Sequence, residues 1–209
     1  MGPLTPDILL RAYAMGIFPM ARTRDDPKIH WIDPEERGVL PLERFHISKS
    51  LKKTLRADVF EIRCDSAFEQ VMRACGEAAE DRPDTWINEG IIRLFVDLHG
   101  LGLAHSVETW RDGCLVGGLY GLALGGAFCG ESMFSRATDA SKVALVHLVA
   151  RLKRGGFTLL DVQFVTDHLR QFGVVEIPRD DYLARLADAI RRRAYFDRSP
   201  EVPWEASMV

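Results

Sequence analysis

Ala127-Phe-Cys-Gly-Glu131-Ser-Met-Phe-Ser135, a helical stretch over 140–154, and Phe157-Thr-Leu-Leu-Asp161-Val-Gln163 decide the fold of this chain. The outer two runs read as apolar strands. Between them Leu145, Leu148 and Leu152 recur at i, i+3 and i+7, Asp139 stands at the cap position, and Gly155-Gly156 ends the helix. Strand, helix and strand joined in this way form a right-handed βαβ crossover whose strands are parallel. Side chains alternate along a strand, so Asp161 and Gln163 are expected on one face, beside Glu131 at the end of the preceding strand. Such a group of polar side chains either orients a nucleophile or polar ligand, or forms a structural network.

Upstream the period is also two. Ala104–Trp110, the turn Arg111-Asp112-Gly113 and 114–122 read as a hairpin, which adds antiparallel strands. The fold class expected is therefore α+β, with a mixed, mainly antiparallel sheet containing one βαβ unit. Earlier helices begin at Thr5-Pro6 with the stripe Ile8, Leu9 and Tyr13, at the capping box Ser66-Ala-Phe-Glu69, and at Asn88 with Ile91, Ile92, Phe95 and Leu98. Residues 17–47 are rich in proline, aspartate and aromatics (Phe18-Pro19, His30-Trp31, Asp33-Pro34), the mark of turns and short strands. The expected organisation is a small N-terminal α/β lobe over 1–62 and a larger domain over 63–209.

Composition narrows the function. With 209 residues, 47% of them hydrophobic and 27% charged, the chain can bury a sizeable core. Cys64, Cys75, Cys114 and Cys129 form no CxxC pair, which argues against a zinc ribbon or a disulfide framework and for a reducing cytoplasm. His105 and Glu108, three apart on a strand, face opposite ways and make no metal site. The residues from Met1 show neither a basic segment followed by an apolar signal core nor a run long enough to cross a bilayer, so no membrane association is expected. A net charge of −3 leaves nucleic-acid contact to a local patch. Arg44 to Ala57 is such a patch: it has no acid, and Lys49, Lys52, Lys53 and Arg56 surround Leu51 and Leu55 at i, i+4. On a helix the leucines would dock and the cations face outward, either toward phosphates or simply into solvent.

Ala14-Met-Gly-Ile-Phe-Pro19, Phe45-His-Ile-Ser48, Thr85-Trp-Ile87, Ala104-His-Ser106, Phe128-Cys-Gly-Glu-Ser-Met-Phe-Ser135, Ala140-Ser-Lys142, Asp161-Val-Gln163, Asp167-His168 and Glu176-Ile-Pro-Arg179 together resemble the bacterial leucyl/phenylalanyl-tRNA–protein transferases. The resemblance spans nearly the whole chain. It implies a GNAT-like C-terminal domain and a smaller N-terminal one. It also implies transfer of Leu, Phe or Met from charged tRNA to the N-terminal amine of a protein, marking that protein for degradation, by a cytoplasmic monomer without a cofactor. Asp161 and Gln163 then become the catalytic pair, with Asp161 either polarising the Gln163 amide or helping it orient the incoming amine while a tRNA hydroxyl relays the proton. The same resemblance assigns the pocket for the transferred side chain to Leu119, Phe128, Leu145, Leu148 and Leu152. It gives the donor's amino group or ribose to Glu131, the terminal adenosine to Trp86, and the acceptor stem to Lys49, Lys52, Lys53 and Arg56. Taken alone, the leucines also fit plain core packing, and Trp86 a half-buried interface aromatic.

Met20 departs from the family pattern, standing where many members carry tryptophan, which bears on donor or acceptor preference. Relatives in some lineages accept acidic as well as basic N-termini, so both acceptor classes are carried forward. Rival chemistries fit less well. An acetyl-CoA-dependent acetyltransferase needs a glycine-rich pyrophosphate loop, and Phe134-Ser-Arg-Ala-Thr-Asp-Ala-Ser141 has no glycine. A serine hydrolase built from Ser132, His168 and Asp161 lacks glycine at the nucleophile elbow, where Phe134 stands. A GNAT-like N-acyltransferase with another acyl donor and a non-catalytic tRNA-binding module are the remaining alternatives.

Overall fold

The computed structural model describes residues 4–78 and 84–208; Met1 to Pro3, where a signal segment would begin, lie outside them. The N-terminal part comprises α1 (Pro6–Ala14), β1 (Phe18–Met20), β2 (His30–Ile32), β3 (Glu36–Leu40), α2 (Lys49–Arg56), β4 (Glu61–Cys64) and α3 (Phe68–Cys75). Then follow α4 (Glu89–Gly100), β5 (Ala104–Arg111), β6 (Cys114–Leu124), β7 (Ala127–Ser135), α5 (Ala140–Arg154), β8 (Leu159–Gln163), α6 (Asp167–Arg170), β9 (Val175–Pro178) and α7 (Arg179–Ile190). Seven strands form one sheet in the order β4-β5-β6-β7-β8-β3-β9, while β1 and β2 pair separately. Among the described residues only β7 and β8 pair in parallel, and the other pairs are antiparallel. The α+β class, the hairpin and the βαβ unit thus stand as read from the sequence.

Each expected element has a local cause. Asp112 (φ 51°) and Gly113 (φ 73°) supply the two positive dihedrals that a tight hairpin turn requires between β5 and β6. Helix α5 is buried nearly all round, from Val143 to Leu152, as a crossover covered on both sides must be. It packs with α2 on one side of the sheet, where Leu51, Leu55, Leu145, Leu148 and Leu160 share a core. On the other side α1, α3 and α4 bury Leu9, Val71, Ile91 and Phe95 against β6. Helix α7 seals Val39, Leu159 and Ile177 with Tyr182 and Leu186. Among the described residues no helix is long and apolar enough to cross a membrane.

The capping box at Ser66 does not form. Helix α3 starts one residue later, after Ala67, with no side-chain cap. The two N–H groups just before it are satisfied from another strand: the Glu108 carboxylate on β5 accepts those of Ser66 and Ala67 at 3.0 and 2.9 Å. Ser66 and Ser106 hydroxyls and the Trp110 indole N–H complete its shell. Glu108 is fully buried, so its need for donors overrides the local cap, and its charge suits a helix N-terminus. Glu69, freed, pairs with Arg73. Asp139 likewise occupies the cap position of α5 without capping through its side chain. Its carboxylate takes the Thr54 hydroxyl at 2.9 Å and Lys142 at 3.0 Å, which ties α2 to α5.

Of the N-terminal strands, only β1 and β2 pair apart from the large sheet. β3 lies between β8 and β9, and β4 forms the opposite edge of the same large sheet. Elements on either side of residue 62 therefore share one sheet, and β3 is placed to touch the end of β8.

Candidate active site

The register of β7 and β8 shows where a site opens. Their parallel pairing runs from Ala127/Leu159 to Cys129/Asp161 and stops. Beyond that point β7 continues along β6 to Ser135, while β8 ends at Gln163. The strands diverge, leaving a crevice at their C-terminal ends, the usual ligand position for parallel strands. A cavity of about 450 Å³ fills it. Its walls come from Gly130 to Met133 on β7, Val162 and Gln163 on β8, Phe18 and Met20 on β1, Leu119 and Tyr120 on β6, and Leu145 and Leu148 on α5. Trp86, before α4, Leu160 on β8, and Phe164, Thr166, His168 and Leu169, after β8, complete them.

Asp161 does not line this cavity. It is fully buried and held by the Arg37 guanidinium, whose Nε donates to Oδ1 at 2.8 Å and Nη2 to Oδ2 at 2.6 Å. The Tyr182 hydroxyl donates to Oδ2 at 2.9 Å. Burial disfavours the charge on Arg37, but the hydrogen bond and charge of Asp161 outweigh it and raise its pKa further. Tyr182 is raised as well, by burial and then by Asp161. None of Asp161's hydrogen bonds goes to His168, so no Ser132–His168–Asp161 triad is assembled.

Strand alternation breaks at Gln163. Its φ is 58°, in the left-handed region, and its backbone N–H turns back to Asp161 Oδ1 at 2.9 Å. The expectation that Asp161 and Gln163 project together is corrected: the carboxylate stays in the interior and the carboxamide joins the cavity wall. Asp161 holds the Gln163 backbone rather than the amide itself. Gln163 Nε2 is buried and has no hydrogen-bond partner. Gly38, opposite Gln163 in β3, makes the bend possible, since a Cβ there would lie 2.9 Å from the Phe164 carbonyl carbon.

Glu131 sits on the facing wall in a contrasting setting. Burial pushes its carboxyl up to about 8; Asp161 adds to the shift, and Tyr13 and Arg37 oppose it. Tyr13 is close enough to perturb Glu131, yet neither Tyr13 Oη nor Glu131 Oε1 is in good hydrogen-bond geometry. Tyr120 Oη is also unpartnered. An apolar cavity edged by buried polar atoms without partners is built for a ligand that brings its own donors and acceptors.

Of the expected pocket residues, Leu119, Leu145, Leu148, Glu131, Trp86 and Met20 line the cavity. Phe128 and Leu152 do not. Phe128 is a core residue stacked on Phe196 at 5.8 Å, near the paired start of β7 rather than its open end. Leu152, fully buried, lies one turn beyond Leu148, about 6 Å further along the helix axis. On α2, Lys49, Lys53 and Arg56 are exposed and Lys52 half-buried, with Leu51 and Leu55 docked beneath. Among the described residues no acid pairs with any of the four cations.

Sequence reasoning missed Arg37, Tyr182, Phe18, Tyr120 and Phe164. The glycine at 38 was a usable signal for close approach. Nothing local marks Arg37, whose partner is 124 residues away.

Family models for the leucyl/phenylalanyl-tRNA protein transferase and its N-terminal domain match residues 39–187 and 2–35. A protein of that name from Paramagnetospirillum magneticum is 69% identical over 209 residues, covering all of both chains. One from Rhodospirillum rubrum is 60% identical, covering 90% of this chain and 88% of its own. Another from Rhodopseudomonas palustris is 55% identical, covering 94% and 88%. The chain therefore belongs to the leucyl/phenylalanyl-tRNA–protein transferase family.

Proposed function

We propose that the crevice between β7 and β8 receives the aminoacyl end of a charged tRNA, and that the chain transfers Leu or Phe from it to the N-terminal amine of an acceptor protein. The observation that carries this reading is the pairing of an apolar cavity with two facing polar groups, Gln163 Nε2 and Glu131 Oε1, that lack partners. Leu119, Met133, Leu145 and Leu148 would surround the transferred side chain, and Met is admitted as a third donor because one methylene changes binding by only ~1–3 kcal/mol. Glu131 is placed to meet the donor's amino group or ribose. Trp86, at the same wall, offers a flat face to the terminal adenosine.

In the reaction the acceptor's neutral α-amine attacks the ester carbonyl carbon. A C–N bond forms, the C–O bond to the ribose breaks, and the amine's proton leaves with the tRNA hydroxyl. The ester is already activated, so placement of the amine is the main task and no cofactor enters the scheme. Because Asp161 bonds the Gln163 backbone and not its amide, we favour Gln163 as the group that orients the amine, with the tRNA hydroxyl relaying the proton. The β6–β7–α5–β8 unit would then be a GNAT-like acyl-transfer core. The acid-free face of α2 suits an acceptor-stem backbone, a contact independent of tRNA sequence. The enzyme would act as a cytoplasmic monomer on proteins with basic N-terminal residues, with acidic ones as the competing class.

Labelled Leu on charged tRNA, offered to peptides that differ only in their first residue, tests the reading. Label should appear on peptides beginning with Arg or Lys, or on those beginning with Asp or Glu. Donor binding without transfer to any peptide would overturn it in favour of a tRNA-binding module.

A further inference from the structure

We infer that Arg37 and Tyr182 are positioning residues that set the Gln163 carboxamide through Asp161, and that Arg37 also locks the β1 wall of the cavity to the end of β8. The inference rests on the proposed role of the cavity as the aminoacyl site. Neither residue lines the cavity; Arg37 touches Phe18, which does, and Tyr182 connects to the cavity wall through Asp161. The Arg37 guanidinium spends one edge on both oxygens of Asp161 and its Nη1 on the Gly16 carbonyl at 2.8 Å. Gly16 lies two residues before Phe18, the first residue of the β1 segment that brings Phe18 and Met20 to the cavity. The guanidinium carbon also lies 4.5 Å from the Phe18 ring centre and 4.4 Å from that of Tyr182. One buried cation thus touches three elements: β8 through Asp161, the α1–β1 turn through Gly16 and Phe18, and α7 through Tyr182.

Gln163 needs such a brace. A side-chain-bearing residue at φ 58° is disfavoured, and beyond Asp161 the end of β8 is paired on one side only, with Gly38 of β3. The Gln163 N–H bond to Asp161 Oδ1 is the brace, and it can act only if the carboxylate itself is fixed. Arg37 fixes it with a planar fork that lysine cannot reproduce. Tyr182 bonds the same Oδ2 from the opposite helix.

Turnover number, donor KM and Tm of full-length Tyr182→Phe, Arg37→Lys, Asp161→Asn, Tyr182→Phe/Asp161→Asn and Gln163→Ala test this. Each enzyme is assayed well below its own Tm. Tyr182→Phe should lose about tenfold in kcat with donor KM unchanged, as expected for one hydrogen bond to a charged group. Arg37→Lys should lose about 100-fold in kcat, the usual result of misplacing a group by about 1 Å, and raise donor KM because the Phe18 wall moves too. In the Asp161→Asn background Tyr182→Phe should change kcat no further, since both act along one path. Variants with lowered Tm but wild-type kcat, or losses that multiply in the double variant, would overturn the inference. An inactive Gln163→Ala beside a fully active Tyr182→Phe removes the brace and leaves the site reading standing; a fully active Gln163→Ala removes both.

Discussion

Two carboxyl groups flank the same crevice and are treated in opposite ways. Asp161 has a guanidinium, a phenol and a backbone N–H as partners and is fully buried. Glu131 has an unpartnered Oε1, and burial raises its pKa to about 8. Proteins pair a buried carboxylate when it serves the fold, because an unpaired one is costly to keep. On the proposed function, the contrast would give the first carboxyl to architecture and the second to a ligand, and would leave the chemistry of β8 to Gln163.

The largest effect that sharpens this contrast is on stability at Asp161. Asp161→Ala strands Arg37 as a buried, unpaired cation and should cost about 3–5 kcal/mol of unfolding free energy, read from urea titrations. A cost within that of a surface substitution would erase the distinction. Next comes Leu148→Ala on the cavity wall, where the vacated space should shift the ratio of kcat/KM for leucyl over phenylalanyl donor by about tenfold or more, corresponding to ~1–3 kcal/mol. Leu152→Ala, in the core one turn away, should destabilise the fold and leave that ratio alone.

Glu131→Gln should behave unlike Asp161→Ala. Between about 4.5 and about 8 the folded Glu131 holds a proton that the unfolded chain releases, so this group's contribution to stability falls as pH rises through that window. The Gln variant should flatten that slope and be relatively more stable than the parent near the upper limit, while its donor KM rises. Thermal melts across the window check the sign; an unchanged slope would show Glu131 already ionised in the fold. The smallest effect is expected far from both carboxyls, on α2. Lys52→Glu/Lys53→Glu should raise the donor KM and reduce the slope of log affinity against log salt by roughly 0.7–0.9 for each phosphate that is no longer neutralised. Unchanged kinetics would detach α2 from the acceptor stem.

How far the sequence reached follows from the range of each signal. The β5–β6 hairpin, α4, α5 and the parallel β7–β8 pair rest on period, caps and turn residues that act within a few positions, and all were legible. The α3 capping box failed because Glu108, some forty residues away, displaced the local cap. Gln163 failed the period-two rule for a related reason. Only glycine advertises a positive φ in sequence, and the residue that permits this bend, Gly38, sits on another strand. Arg37 was invisible because a lone arginine in a short strand reads as a solvated side chain, and only the assembled sheet shows that it is buried against Asp161. Local signals thus pointed to the strands that border the cavity, and long-range pairing decided which of their polar groups lack partners.

The most direct test of that decision is single-turnover transfer of labelled Leu from charged tRNA by Gln163→Ala, with donor Kd measured in parallel. Transfer should slow by about 100-fold, the scale set by losing one positioning group, while donor Kd changes little. Transfer at the parent rate would contradict the account, because no other group on β8 would then remain to meet the incoming amine.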